Sequence, residues 1–103
     1  MTKEELIAKA KIRIRKTSND ILGEDVGQLV EVALTDLKRI GVNSAYLDEA
    51  DIKDPLIIEA VLIYCNANFG SPDNQAQLLA AYDTICTKIK GGGYHREINQ
   101  TIG

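Results

Sequence analysis

Apolar residues recur at three- and four-residue spacing along most of the chain, a pattern typical of helices that bury one face. We predict four α-helices, over about residues 3–15, 24–40, 54–69 and 72–90. A chain of 103 residues fits one domain. The sequence therefore predicts a compact all-α, four-helix domain over residues 1–91 and a flexible tail over residues 92–103.

The first helix begins with a capping box. Thr2 is the expected N-cap, and Glu5 stands three positions further on, as this motif requires. The expected buried face consists of Leu6, Ile7, Ala10 and Ile14. The run KIRIRK, residues 11–16, also alternates with period two, so a strand is an alternative there. We favour a helix because the acids come first and the bases last, which suits the helix macrodipole.

The second helix has a regular apolar face. This face consists of Val26, Leu29, Val30, Ala33, Leu34, Leu37 and Ile40. Gly27 weakens the first turn by about 1 kcal/mol relative to alanine, and Gly41 stands where a glycine C-cap belongs. Residues 42–53 form a polar, acidic connector that is longer than the roughly two to eight residues usual between helices. We expect this connector to contact a partner.

The third helix is apolar on nearly all sides. Asp54 is the expected N-cap, and Pro55 takes the first helical position, where its missing N–H costs nothing. Between Leu56 and Phe69, the strongly polar residues are Glu59, Asn66 and Asn68. Such a helix must be covered on most sides. We expect the other three helices to cover it, and self-association to cover what remains.

The fourth helix follows a short turn. Gly70 would end the third helix, Ser71 would cap the fourth, and Pro72 would begin it. The residues expected to point inward are Leu78, Leu79, Tyr82, Ile85, Cys86 and Ile89. The glycines at 91–93 would end the helix and form a hinge. We expect the short polar tail beyond them to be disordered in the free subunit and to order on docking.

Charge is distributed unevenly along the chain. The net charge is −3, but residues 1–16 carry +4 and residues 17–103 carry −7. An acidic total argues against a dedicated nucleic-acid binder. The asymmetry favours docking onto a partner or onto another copy of the chain, and a solvated helix face is the alternative.

Candidate catalytic and metal-binding residues are few. The only histidine, His95, follows the glycine hinge, which cannot hold a general base in a fixed position. Cys65 and Cys86 lack metal-ligand spacing and would lie roughly 12 Å apart in an antiparallel hairpin, too far for a disulfide. The acidic run at residues 48–54 lacks the glycine and closing glutamate of a calcium loop. We predict no enzymatic activity, cofactor or metal.

The N-terminus and the apolar runs bear on location. No run reaches the roughly 18 apolar residues of a membrane span, and MTKEEL is typical of a cytoplasmic start. We therefore expect no membrane association.

The order of these segments resembles a known family. The relevant stretches are AKIRI at residues 10–14, EDVGQLVEVALTDLKRIGV at 24–42, DPLIIEAVLIYCNANFG at 54–70, and AAYD at 80–83. Together they resemble the head–tail connector, or adaptor, proteins of tailed bacteriophages over about residues 4–90. The tail after Gly91 has no counterpart in this resemblance.

The resemblance implies a structural role. Members of this family are α-helical and form a ring, usually of twelve subunits, beneath the portal at one capsid vertex. The ring extends the DNA channel and meets the stopper or tail-completion protein. The resemblance thus implies that the partners are other copies, the portal and the tail side, and that DNA passes without specific binding. It also implies assembly in the host cytoplasm and a final location in the virion.

A ring needs two different faces on each subunit. We place the candidate interface on the basic first helix, the acidic connector and the start of the tail. The residues are Lys9, Lys11, Arg13, Arg15, Lys16, Asp48, Glu49, Asp51, Tyr94, His95 and Arg96. The alternative function is a small helical DNA-binding or regulatory domain that grips phosphates with the basic first helix.

Overall fold

The computed structural model describes residues 1–15, 23–48, 50–69 and 73–94, apart from the side chains of residues 15 and 23–25. Four α-helices make up the fold: α1 (Lys3–Arg15), α2 (Gly23–Arg39), α3 (Pro55–Asn68) and α4 (Gln75–Gly91). A short 3-10 helix over Ser44–Leu47 lies in the connector. The part of the chain that the structure describes contains no strand, and the predicted all-α, four-helix class is confirmed.

Helix α1 starts at the predicted capping box. The Thr2 backbone N–H donates to Glu5 Oε1 at 2.9 Å, and the Glu5 N–H donates to Thr2 Oγ1 at 3.2 Å. Leu6, Ala10 and Ile14 are buried on the inner face. Because the helix continues to Arg15, the strand alternative for KIRIRK is wrong over the residues described.

Helix α2 ends in a Schellman motif at the predicted glycine. Gly41 has a φ of +106°, which a side chain would strain. The Gly41 N–H donates to the Lys38 carbonyl at 3.1 Å, and the Val42 N–H donates to the Leu37 carbonyl at 3.0 Å. The chain therefore turns sharply into the connector and buries Val42.

Helix α3 is the central element of the bundle, and α1, α2 and α4 all pack against it. Asp54 caps its start as predicted, since Oδ1 accepts from the Leu56 and Ile57 N–H groups at 2.9 and 3.2 Å. The buried residues are Ile57, Ala60, Val61, Leu62, Ile63, Cys65 and Ala67. Pro55 is the one exposed residue of α3. The other three helices thus cover this apolar helix and leave it little surface for self-association.

Helix α4 begins later than predicted. Its first residue is Gln75, the preceding Asn74 makes no side-chain cap, and Ser71 and Pro72 lie outside the described residues. The face formed by Tyr82, Cys86 and Ile89 is buried, with Leu78 and Ile85 partly buried beside it. Leu79 was predicted to point inward, but it is 38% exposed because it lies at the edge of that face.

The connector contributes to the core despite its polar composition. Ile52 is fully buried, and its N–H donates to the Met1 carbonyl at 2.6 Å. Helix α4 ends at Gly91, but Tyr94 still packs against the domain. The predicted domain boundary after Gly91 therefore lies three residues before Tyr94, the last described residue that packs against the core. Residues 95–103, the rest of the predicted tail, lie outside the described residues.

None of the four helices is both long enough and apolar enough to cross a membrane, among the residues that the structure describes.

Gly27 offers a test of the packing between α1 and α2. A Cβ added there would lie 3.8 Å from Ile7 Cδ1, an ordinary van der Waals contact. We expect Gly27→Ala to raise the free energy of unfolding by about 0.5–1 kcal/mol, because alanine has the higher helix propensity. Thermal unfolding should show a midpoint several degrees higher. Gly41→Ala is the control: its positive φ predicts a loss, and a loss at position 27 as well would contradict the packing described.

Candidate interface

The connector and the start of α3 form an acidic cleft of about 450 Å³. Its lining consists of Ala45, Tyr46, Asp48, Asp51, Lys53 and Asp54. The cleft forms because the connector turns twice before α3. Asn43 Oδ1 caps the 3-10 helix by accepting from the Ala45 N–H at 2.9 Å, and Asp48 Oδ1 accepts from the Ala50 N–H at 3.0 Å. Two predicted interface residues, Asp48 and Asp51, thus share one site.

Asp51 is held by positive charge. The amino group of Met1 lies 2.7 Å from its Oδ1, and Lys53 Nζ lies 3.4 Å from its Oδ2. The hydrogen bond from the amino group, aided by Lys53, holds the pKa of this exposed carboxyl below its usual value. Asp51 is therefore ionised at neutral pH, and the Met1 amino group and Lys53 balance its charge.

Tyr94 packs beside the cleft and joins three elements. Its ring lies 5.0 Å from the Tyr46 ring, centroid to centroid, at a tilt of 54°. Its hydroxyl lies 3.0 and 2.9 Å from the two carboxylate oxygens of Asp54, to which it donates. Its carbonyl accepts from the Asn43 N–H at 2.7 Å. Desolvation, together with the bond to Asp54, raises the pKa of Tyr94 to about 12, so it is a neutral donor.

The basic surface of α1 is smaller than the sequence predicts. Arg13 donates to both carboxylate oxygens of Glu59, from Nη1 to Oε2 at 2.7 Å and from Nη2 to Oε1 at 3.1 Å. This bidentate pair ties α1 to α3. Lys9 is exposed and Lys11 half-buried. The side chain of Arg15, and all of Lys16, lie outside the described part.

An exposed apolar residue lies within this basic surface. Ile12 is 59% exposed, the highest value among the large apolar residues described. With Lys9, Arg13 and Leu62 it lines a shallow groove of about 280 Å³ between α1 and α3. The groove and the cleft share no lining residue. The acidic cleft and this basic groove are therefore separate surfaces.

The two cysteines are free thiols in the core, as predicted. Burial raises the pKa of the Cys65 thiol to about 12 and also raises that of Cys86. Neither thiol is ionised at neutral pH, so neither is an activated nucleophile. Within the described ranges, no group of three or more His, Cys, Asp and Glu side chains could hold a metal ion.

Five of the eleven predicted interface residues lie at these surfaces. Asp48 and Asp51 line the cleft, Lys9 and Arg13 line the groove, and Tyr94 packs beside the cleft. Glu49, His95 and Arg96 lie outside the described residues. The prediction did not include Tyr46, which lines the cleft, or Ile12, which lines the groove. The sequence offered one signal for each residue. Tyr46 is an aromatic residue in a polar connector, and Ile12 lies between basic residues, away from the apolar face of α1.

Comparison of the chain with models of protein families, with curated proteins and with solved structures finds no match.

Proposed function

We propose that the chain is a structural subunit of the head–tail connector of a tailed bacteriophage or prophage. In this role it forms a ring beneath the portal, extends the DNA channel and meets the stopper or tail-completion protein. It assembles in the host cytoplasm and ends in the virion. The resemblance of four ordered sequence stretches to this family suggests the role, and the all-α bundle is compatible with it.

The main support for the proposal is that the acidic cleft and the basic groove are separate surfaces of opposite charge. The cleft presents the exposed Asp48, and the groove presents Lys9 beside the exposed Ile12. A contact between the cleft of one subunit and the groove of the next is heterologous, and such contacts repeat into a ring when the rotation closes. Charge complementarity would set the orientation of neighbouring subunits.

The first experiment measures mass by light scattering over a concentration series, with electron micrographs of any large species. Rings with a central hole are expected, alone or after mixing with portal rings. Lys9→Glu should reduce assembly at least about tenfold. Lys88→Glu makes the same change at an exposed position of α4 and should leave assembly intact. A chain that stays monomeric and does not bind portal rings would contradict the proposal.

DNA binding by α1 is the alternative function. The bidentate bond from Arg13 to Glu59 engages one of the cations that this function needs. Titration with duplex DNA at several salt concentrations separates the two functions, because phosphate contacts weaken steeply with salt. We expect no binding at low salt. Affinity that falls steeply with salt would favour the alternative.

A further inference from the structure

We propose that residues 92–94, with the Tyr94 side chain, form a strap that closes beside the acidic cleft and opens locally while the helical bundle stays folded. The proposal concerns conformation and does not depend on ring formation. It follows from how the strap is held, where it can pivot, and how little of the core it touches.

Three contacts hold the strap closed, and all are made by Tyr94. The hydroxyl donates to Asp54, the ring packs on Tyr46, and the carbonyl accepts from the Asn43 N–H. Asp54 and Asn43 are the N-caps of α3 and of the 3-10 helix. The strap therefore fastens the end of α4 to both caps at the cleft.

The pivot lies immediately before Tyr94. Gly91 and Gly92 are exposed, and Gly93 has a φ of +82°, a conformation that other residues rarely adopt. Tyr94 packs against the core cluster from outside and is not one of its buried members. Because Tyr94 is only half-buried, the strap can leave without opening a cavity in the core.

Opening has two consequences. The Tyr46 ring and the second oxygen of Asp54 become available at the cleft, while Oδ1 still caps α3. The end of α4 is also released from the N-caps of α3 and of the 3-10 helix. The strap thus controls access to one wall of the cleft and the attachment of α4 to the two caps.

Gly92 provides a specific way to open the strap. A Cβ at this position would lie 3.0 Å from Tyr94 Cε2 and 3.1 Å from the Lys88 carbonyl oxygen, so the ring and the last turn of α4 must shift by a few tenths of an ångström. A Cβ at Gly91 would meet nothing within 4 Å. Gly92→Ala and Gly91→Ala are therefore a matched pair that differ in their effect on Tyr94. Tyr94→Ala is a second variant, which removes the ring and hydroxyl and keeps the carbonyl.

Native-state hydrogen exchange of the full chain, followed by NMR in low denaturant, tests the proposal. The Asn43 amide reports the strap, and the Val61 amide reports the core. We expect the Asn43 amide to be protected but to exchange faster than the Val61 amide. The exchange rate at Asn43 should depend little on denaturant, because local opening exposes little surface. Gly92→Ala and Tyr94→Ala should speed exchange at Asn43 at least about tenfold, as loss of a bond to a carboxylate predicts. Gly91→Ala should not, and Val61 should change little.

Three results would overturn the proposal. An unprotected Asn43 in the wild type would mean that the strap is not closed in solution. Equal rates and denaturant dependence at Asn43 and Val61 would mean that it opens only on global unfolding. Equal Asn43 rates in the Gly92→Ala, Tyr94→Ala and Gly91→Ala variants would mean that Tyr94 does not hold it.

Discussion

Replacement of Val61 by aspartate is expected to unfold the domain. Val61 is fully buried in α3, the helix against which the other three pack. No described buried side chain is charged, and the buried Tyr82 hydroxyl already donates to Asp36, so the new carboxylate would find no partner in the core. An unpaired charge at such a site costs several kcal/mol, which is comparable to the whole stability of a small domain. Ala60→Asp should act in the same way, because Ala60 is also fully buried.

Val32→Asp is the matched control for this substitution. Val32 lies within α2 and is 48% exposed, so the same chemical change leaves the carboxylate in water. We expect its effect to stay within about 0.5 kcal/mol. Circular dichroism with thermal unfolding measures both variants. A Val61→Asp protein that keeps the wild-type helix content and midpoint would show that the α3 packing described is wrong.

The sequence was informative about the helices because their apolar faces repeat locally. Two cap predictions held for the same reason, since the Thr2–Glu5 box and the Asp54 cap each involve residues within three positions. The start of α4 was predicted wrongly. Proline is favourable at the first position of a helix, so the sequence placed the start of α4 at Pro72. This preference is only local, and α4 begins at Gln75.

The candidate interface and the contacts between helices were less predictable because they depend on pairs far apart in sequence. Arg13 and Glu59 are 46 positions apart, as are Asp36 and Tyr82. A periodic pattern predicts neither pair, because it shows which residues of one helix share a face and does not show which helix packs against that face. Ile52 shows the same limit: it stands in an acidic run, yet it is fully buried and its N–H donates to the Met1 carbonyl. The local pattern therefore counted Arg13 as a cation available to a partner and gave no sign that Ile52 joins the core.

The bond between Tyr82 and Asp36 should be the most strongly coupled polar pair of the bundle. The Tyr82 hydroxyl donates to Asp36 Oδ2 at 2.6 Å and links α4 to α2, while Arg39 donates to Oδ1 at 3.0 and 2.6 Å. Tyr82 is 6% exposed, so its hydroxyl depends on this acceptor. We expect Asp36→Ala to cost about 2 kcal/mol, because a buried donor loses its partner.

A double-mutant cycle isolates this coupling. Tyr82→Phe should cost about 1 kcal/mol and leaves Asp36 accepting from the exposed Arg39. In the Tyr82→Phe background, Asp36→Ala should cost much less than in the wild type, which gives a coupling free energy of about 1–2 kcal/mol. Urea unfolding of the four proteins measures it. Additive effects would contradict a bond between the two side chains.

The pH dependence of stability provides an independent test of the same pair. Desolvation acts to raise the pKa of Asp36, but the hydrogen bonds from Tyr82 and Arg39 outweigh it and hold this pKa below its ordinary value of 3.8. A lowered folded-state pKa means that the unfolded chain takes up the proton first on acidification. The stabilisation is therefore present above the ordinary carboxyl pKa and is lost as pH falls through the folded-state pKa. Tyr82→Phe should lose less stability over that interval than the wild type, and an equal loss would contradict this assignment.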